Sequence, residues 1–202
     1  MTEKSLQNVS RETNDKLEHF ASLVEKWTTK INLISKASVP HIWDRHIVDS
    51  QQIYAHAPAA DHWADLGSGG GFPAIVLAVL SQGDGRSTTF TLVESDQRKC
   101  VFLRTAIREL SLDARVINGR IEEIAPLNAD VLTARALAEL SILLRFADRH
   151  LKPDGTALFP KGEKWHAEDI DAKQAWRYTC DPIPSTTNSS AAILKIEEIS
   201  NV

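Results

Sequence analysis

Asp65-Leu66-Gly67-Ser68-Gly69-Gly70-Gly71-Phe72-Pro73 lies between two apolar segments, and its reading decides the fold. His62-Trp63-Ala64 before it reads as the end of a short buried strand. Ala74 to Leu80 after it is an unbroken apolar run that reads as a helix. Strand, glycine-rich turn and helix open a nucleotide-binding βαβ unit. Gly67 and Gly69 permit a tight turn with positive φ and let a ligand lie directly on the main chain. Gly71 permits close packing of the helix on the strand. Pro73 suits a first helical turn, where its missing N–H costs nothing.

Spacing narrows the ligand. The glycines run Gly-x-Gly-x-Gly, not the Gly-x-Gly-x-x-Gly of a dinucleotide fingerprint, which disfavours a Rossmann dehydrogenase. Asp65 stands two residues before the first glycine. A carboxylate there sits badly beside a pyrophosphate and well beside a cation. Asp-x-Gly-x-Gly-x-Gly resembles the cofactor loop of class I methyltransferases. Their ligand, S-adenosylmethionine, carries a sulfonium, an ammonium and a ribose with two free hydroxyls. The resemblance implies Asp65, Gly67, Gly69 and Phe72 as cofactor contacts.

Downstream, Thr88 to Glu94 is a β-rich run ending in an acid, 27 residues after Gly67. A doubly wound sheet puts that carboxylate beside the ligand's ribose, where it accepts from both hydroxyls. Ser95-Asp96-Gln97 starts a helix whose buried stripe is Leu103, Ala106, Ile107 and Leu110. Cys100 falls among Arg98, Lys99, Arg104 and Arg108, a basic face that meets RNA phosphates or merely solvent. Arg115–Asn118 is a third strand. Asp130–Ala136 is a fourth strand and its exit, and its C-terminal edge is where donor and acceptor meet. Arg135 there can grip a carboxylate or a phosphate bidentately. Leu140–His150 is a helix, Leu151–Gly155 a turn and Thr156–Phe159 a fifth strand. Residues 163–180 hold a helix and then the strand Trp176–Cys180, and Ala191–Ile196 is the last strand. Asp181-Pro182-Ile183-Pro184 follows the fifth strand rather than the fourth and lacks an aromatic, which excludes an adenine-N6 motif.

Upstream, residues 1–10 are polar and expected to fray. Ser10 can cap a helix whose apolar face is Leu17, Phe20, Ala21, Val24, Trp27 and Ile31. Arg45, His46, Asp49 and Ser50 fall within about one helical turn. His46 and Asp49 can pair, or the cluster is simply solvated.

Trp27-x-x-Lys30-Ile31-Asn32-Leu33, Arg45-His46-Ile47-Val48-Asp49-Ser50 and the glycine loop occur in this order. Together they resemble the RsmG (GidB) family, bacterial methyltransferases acting on guanine N7 of small-subunit ribosomal RNA. Val9-Ser10-Arg11-Glu12-Thr13 looks like that family's start, and the resemblance runs from about residue 9 to about residue 165. It implies that Ile121 and Glu122, after the third strand, enclose the adenine. It also puts Arg135-Ala136 at the ligand, and it suggests Arg45, His46 and Lys161 as RNA contacts. The sequence departs from the family around the last strand, where Asn188-Ser189-Ser190 and Glu197-Glu198 replace expected basic residues.

With 202 residues, 43% hydrophobic and 25% charged, the chain can bury a sizeable core. A formal net charge of −4 argues against indiscriminate nucleic-acid binding and leaves room for a local basic face. Cys100 and Cys180 form no ligand pair, which fits a reducing, cytoplasmic setting. Met1–Ser5 has no apolar core like that of a signal peptide, and Phe72–Leu80 is too short to span a bilayer. The expected fold is α/β: a seven-stranded, mostly parallel Rossmann-like sheet with helices on both faces. Residues 1–60 form an N-terminal helical region and 61–202 the methyltransferase domain. The expected function is transfer of a methyl from S-adenosylmethionine to guanine N7 of 16S ribosomal RNA. The alternative is a class I methyltransferase acting on a small molecule or protein. Catalysis by positioning needs no metal and no general base, with Arg135 as the one side chain near the chemistry. A monomer working on the small ribosomal subunit, off the membrane, completes the expectation.

Overall fold

The computed structural model describes residues 9–202. The Met1–Ser5 reading, and most of the segment expected to fray, lie outside the described residues. Ser10 caps α1 (Arg11–Thr28): its hydroxyl accepts from the Thr13 N–H, and Leu17, Phe20, Ala21 and Val24 are buried. The helix ends a turn sooner than the apolar stripe, so Ile31 falls beyond it. Two successive β-branched residues, Thr28 and Thr29, stand at that end, where helix propensity is low. A 3₁₀ turn follows at Lys36–His41. A π-helix, Trp43–Val48, then runs directly into α2 (Asp49–Ala55).

Seven strands form one sheet: β1 (His62–Leu66), β2 (Thr89–Glu94), β3 (Ala114–Asn118), β4 (Ala129–Ala134), β5 (Leu151–Lys161), β6 (Trp176–Pro184) and β7 (Ala192–Asn201). Their order is β3-β2-β1-β4-β5-β7-β6. β1 to β5 pair in parallel, while β7 runs antiparallel to both β5 and β6. Four helices complete the chain: α3 (Ala74–Gly83), α4 (Gln97–Glu109), α5 (Leu140–His150) and α6 (Trp165–Ala172).

Strand residues alternate between two cores, as the period of two requires. Trp63, Phe90, Leu92, Val131 and Leu158 face the core shared with α1, α3 and α4. Ala64, Val93, Leu132 and Phe159 face the core shared with α5. In register, Leu66 pairs with Val93 on one side and with Ala134 on the other. The carboxyl ends of β1, β2 and β4 therefore lie level, and the strand order reverses between β1 and β4. Open α/β sheets bind their ligands at such a switch point.

Several local expectations change. Leu151–Gly155 is not a free turn but the first half of β5, with a register shift against β4 between Ala129 and Val131. The Lys152–Asp130 ion pair anchors it. Gly155 lets the strands approach, because a Cβ there would lie 3.1 Å from the Ala129 carbonyl oxygen. β6 and β7 are longer than expected, since each completes the other's ladder from Trp176↔Asn201 to Pro184↔Ala192. In α4, Cys100 and Phe102 join the buried stripe. The Cys100 thiol donates to the Glu94 carbonyl and is pushed up by burial, so it is a core group rather than a member of the basic face. Pro73 caps α3 rather than lying in its first turn. Gly71 serves helix–helix contact more than strand packing: a Cβ there would come within 3.0 Å of Phe20 and 2.8 Å of Ile75.

Candidate active site

The loop between β1 and α3 adopts positive φ at Gly67, Gly69 and Gly71, at 68°, 52° and 83°. It floors a cavity of about 430 Å³ at the carboxyl edge of the sheet. Gly67, Gly69, Glu94, Ile121 and Glu122 all line it, as the sequence led us to expect. Glu94 is the best-held side chain there. One carboxylate oxygen accepts from the Gly69 N–H and the other from the Asp96 N–H, each at 2.8 Å. A carboxylate offers about four lone-pair sites, so each oxygen keeps one for a ligand. Two such acceptors suit a pair of vicinal hydroxyls. Asn118 fixes the neighbouring backbone by donating to the Glu94 and Ser95 carbonyls.

The far side of the cavity is built from β3's exit and α5. Ile121 is buried beside the cavity, and the buried His150 holds its carbonyl with a 3.0 Å hydrogen bond from Nε2. Ile142 and Phe146, one turn apart on α5, line the opposite part together with Leu137. The sequence reading missed these three and Lys99. Ile142 is 37% exposed on a helix whose other apolar positions are buried.

Asp65, Phe72 and Arg135 do not line this cavity. Asp65 is buried behind the loop, where Thr133 donates to its Oδ1 at 2.6 Å and its Oδ2 has no partner. Burial pushes its carboxyl up to about 6, against the opposing pull of Ser68, Thr133 and Arg135. It is therefore no open counter-ion for a ligand. Phe72 lies behind the loop too, packed on Phe20 and stacked on His46 with ring centres 4.8 Å apart.

Arg135 turns the other way. Ala136 takes a left-handed conformation, φ 52°, and the chain passes with Arg135 on one side and Leu137 on the other. The Arg135 guanidinium lies over Phe72 and donates through Nη2 to His46 Nδ1. Its Nη1 is 4.0 Å from Asp49 Oδ2 and has no hydrogen-bond partner. Because arginine only donates, His46 must carry its proton on Nε2, which is also buried without a partner. Burial, then the charges of Arg135 and Arg45, push the imidazole down to about 4, so it is neutral. His46 and Asp49 thus meet through Arg135 instead of pairing with each other.

These groups border a second cavity of about 190 Å³, lined by Asp49, Gln52, Arg135, Lys161 and Thr187 among others. Lys161 lines that cavity, but its ammonium is already engaged. Its ammonium pairs with Glu168 at 2.6 Å and donates to the Ala138 carbonyl. Glu168 in turn accepts from the Leu140 N–H, so the pair pins the start of α5. Arg45 is exposed beside His46.

A family model described as rRNA small subunit methyltransferase G matches residues 13–192. A ribosomal RNA small subunit methyltransferase G from Ruegeria pomeroyi is 51% identical over 195 residues, 96% of each chain. One from Gluconobacter oxydans is 46% identical over 194 residues, 96% of this chain and 98% of its own. Among solved structures, a SAM dependent methyltransferase from Aquifex aeolicus superposes with a TM-score of 0.60 at 13% identity, covering 87% of this chain and 97% of its own. A TehB-like SAM-dependent methyltransferase from Corynebacterium glutamicum gives 0.58 at 16% identity, covering 90% and 98%. At such identities the structures attest the sheet and its helices; the relatives and the family model go further, and the chain belongs to the rRNA small subunit methyltransferase G family.

Proposed function

We propose that the protein transfers a methyl group from S-adenosylmethionine to guanine N7 in 16S ribosomal RNA. The observation that carries this reading is Glu94, anchored by two backbone N–H groups and presenting two open acceptors over a glycine floor. Family membership supplies the acceptor. In the bound state Glu94 would hold the ribose, Gly67 and Gly69 the adjoining backbone face, and Ile121 and Glu122 the adenine. When bound, S-adenosylmethionine would supply an electrophilic methyl on a sulfonium leaving group. N7 already presents an in-plane lone pair, so the protein's work is positioning and electrostatic fit.

Arg135 belongs to the acceptor side in this reading, and exposed Arg45 is the RNA phosphate contact. Lys161 acts by holding β5 to α5. Of the expected 1–60 region, the described residues 9–60 cover the α3–α4 face with helices, and 61–202 carry both cavities apart from Asp49 and its neighbours. The protein acts as a monomer in the cytoplasm. Among the described residues, no helix is long and apolar enough to cross a membrane. Mapping 7-methylguanine in 16S RNA from cells with and without the protein tests the reading. One site is expected to lose its methyl, and an identical map in both would overturn it.

A further inference from the structure

The exit of β4 is a thin partition. Ala136, Leu137 and Ala138 line the larger cavity, while Arg135 lines the smaller one. A group held in the smaller cavity is one short stretch of backbone away from whatever occupies the larger.

Asp49 is fixed at that smaller cavity by residues from three places in the chain. Its Oδ1 accepts from the Thr187 hydroxyl, in the loop between β6 and β7, and from Gln52 at 3.4 Å. Gln52 is itself tied to that loop, accepting from the Thr186 N–H at 2.7 Å. Oδ2 stands 4.0 Å from Arg135 Nη1, beyond hydrogen-bond range. Its lone pairs therefore remain available. The side chain is 34% exposed, so a ligand can reach it. A carboxylate already held in place loses little freedom when it takes a partner.

We propose that the smaller cavity receives the target base, and that Asp49 Oδ2 accepts hydrogen bonds from the N1–H and N2–H₂ edge of guanine. This rests on the methyl-transfer reading above. Guanine offers donors on that edge and an N7 acceptor on the other, so a carboxylate on the donor edge leaves N7 free. Adenine would set the lone pair of its N1 against Oδ2. The contact also favours the reaction. As N7 takes the methyl, the purine becomes cationic and its N1–H more acidic. The bond to Asp49 strengthens with that charge, and an interaction stronger in the transition state than in the ground state raises turnover. Asp49 is thus a specificity-determining contact, and Arg135, Gln52 and Thr187 are positioning residues.

The test uses the full chain, S-adenosylmethionine and small-subunit particles. Asp49→Asn keeps the side chain's size and one oxygen acceptor but turns Oδ2 into a donor. Turnover should fall about a hundredfold, the loss of a charged acceptor left facing donors. Cofactor affinity by calorimetry and KM for particles should stay within about threefold. A second arm places inosine at the mapped guanine in reconstituted particles, which removes N2–H₂. The parent should slow about tenfold, and Asp49→Asn should slow no further. Parent-like turnover in Asp49→Asn, a loss that appears in cofactor affinity instead, or a parent indifferent to inosine overturns the assignment. A parent that methylates no small-subunit RNA refutes the functional reading itself, and the assignment falls with it.

Discussion

The two cavities at the carboxyl edge of the sheet are made of different materials. The larger is framed by backbone and by a carboxylate anchored at both oxygens, with Glu94 accepting from Gly69 across 25 residues of sequence and from Asp96 across two. The smaller is framed by side chains from distant segments. Arg135 meets His46 across 89 residues of sequence, and Thr187 meets Asp49 across 138. Arg135 Nη1 and His46 Nε2 are left buried without partners. Buried polar atoms are costly to leave unpaired, and their presence points to a surface awaiting a ligand. The first region is held by its own loop and strand ends; the second is tied together from distant segments.

The largest break in this contrast should come from the glycine loop. A Cβ at Gly67 would lie 2.7 Å from Leu137 on a backbone of φ 68°. Gly67→Val should weaken S-adenosylmethionine binding by more than about a hundredfold, from a β-branched residue in left-handed space. Titration calorimetry on protein with parent-like circular dichroism measures it, and retained affinity would place the cofactor elsewhere. Glu94→Ala comes next. Losing a charged acceptor should cost about 1.5–3 kcal/mol, roughly ten- to a hundredfold in affinity. The same variant should also melt earlier, because Gly69 and Asp96 lose their acceptor.

Arg135→Ala sharpens the comparison by leaving the first region alone. Cofactor affinity should hold, while methyl transfer to small-subunit particles drops about tenfold or more. A weakened cofactor constant with unchanged turnover would move Arg135 back to the donor side. The smallest effect is in acid titration, where the regions oppose each other. His46, held near 4 against an ordinary 6.5, stays neutral in the folded chain while the unfolded chain takes up its proton. Its contribution is therefore lost as pH falls from 6.5 toward 4. Asp65, raised to about 6 from 3.8, does the reverse: stability is gained as pH falls through that window and the buried charge is neutralised. Each is worth up to about 3 kcal/mol, so the pair nearly cancels. Asp65→Asn should expose a loss of stability between pH 6 and 4.5 by chemical denaturation, and His46→Gln a gain.

What the sequence revealed follows the same division. Asp65 to Pro73 and Glu94 were legible because each sits at a fixed place relative to a strand end, whereas Ile121 came only from the family resemblance. Spacing along the chain then becomes spacing in the site. Asp65 and Phe72 were misplaced although their loop was right, since the side of a turn a residue faces depends on what packs behind it. Here that is Phe20 and His46 for Phe72, and Thr133 for Asp65. The roles of Arg135, Asp49 and Lys161 were illegible. Nothing in a local pattern says that a π-helix and the start of α2 behind it will present His46 and Asp49 to β4's exit, or that Glu168 will claim Lys161. The start of β5 was hidden for a related reason: Lys-Pro-Asp-Gly has turn chemistry, and pairing with β4 overrides it.

The β6–β7 loop has a consequence in time. Every residue lining the larger cavity has been synthesised once Phe146 has been added. The smaller cavity waits for Thr187 and Ile193, near the end of the chain. A nascent chain, or one cut short between those points, carries all the groups that would greet a methyl donor and lacks part of the wall that would receive an acceptor.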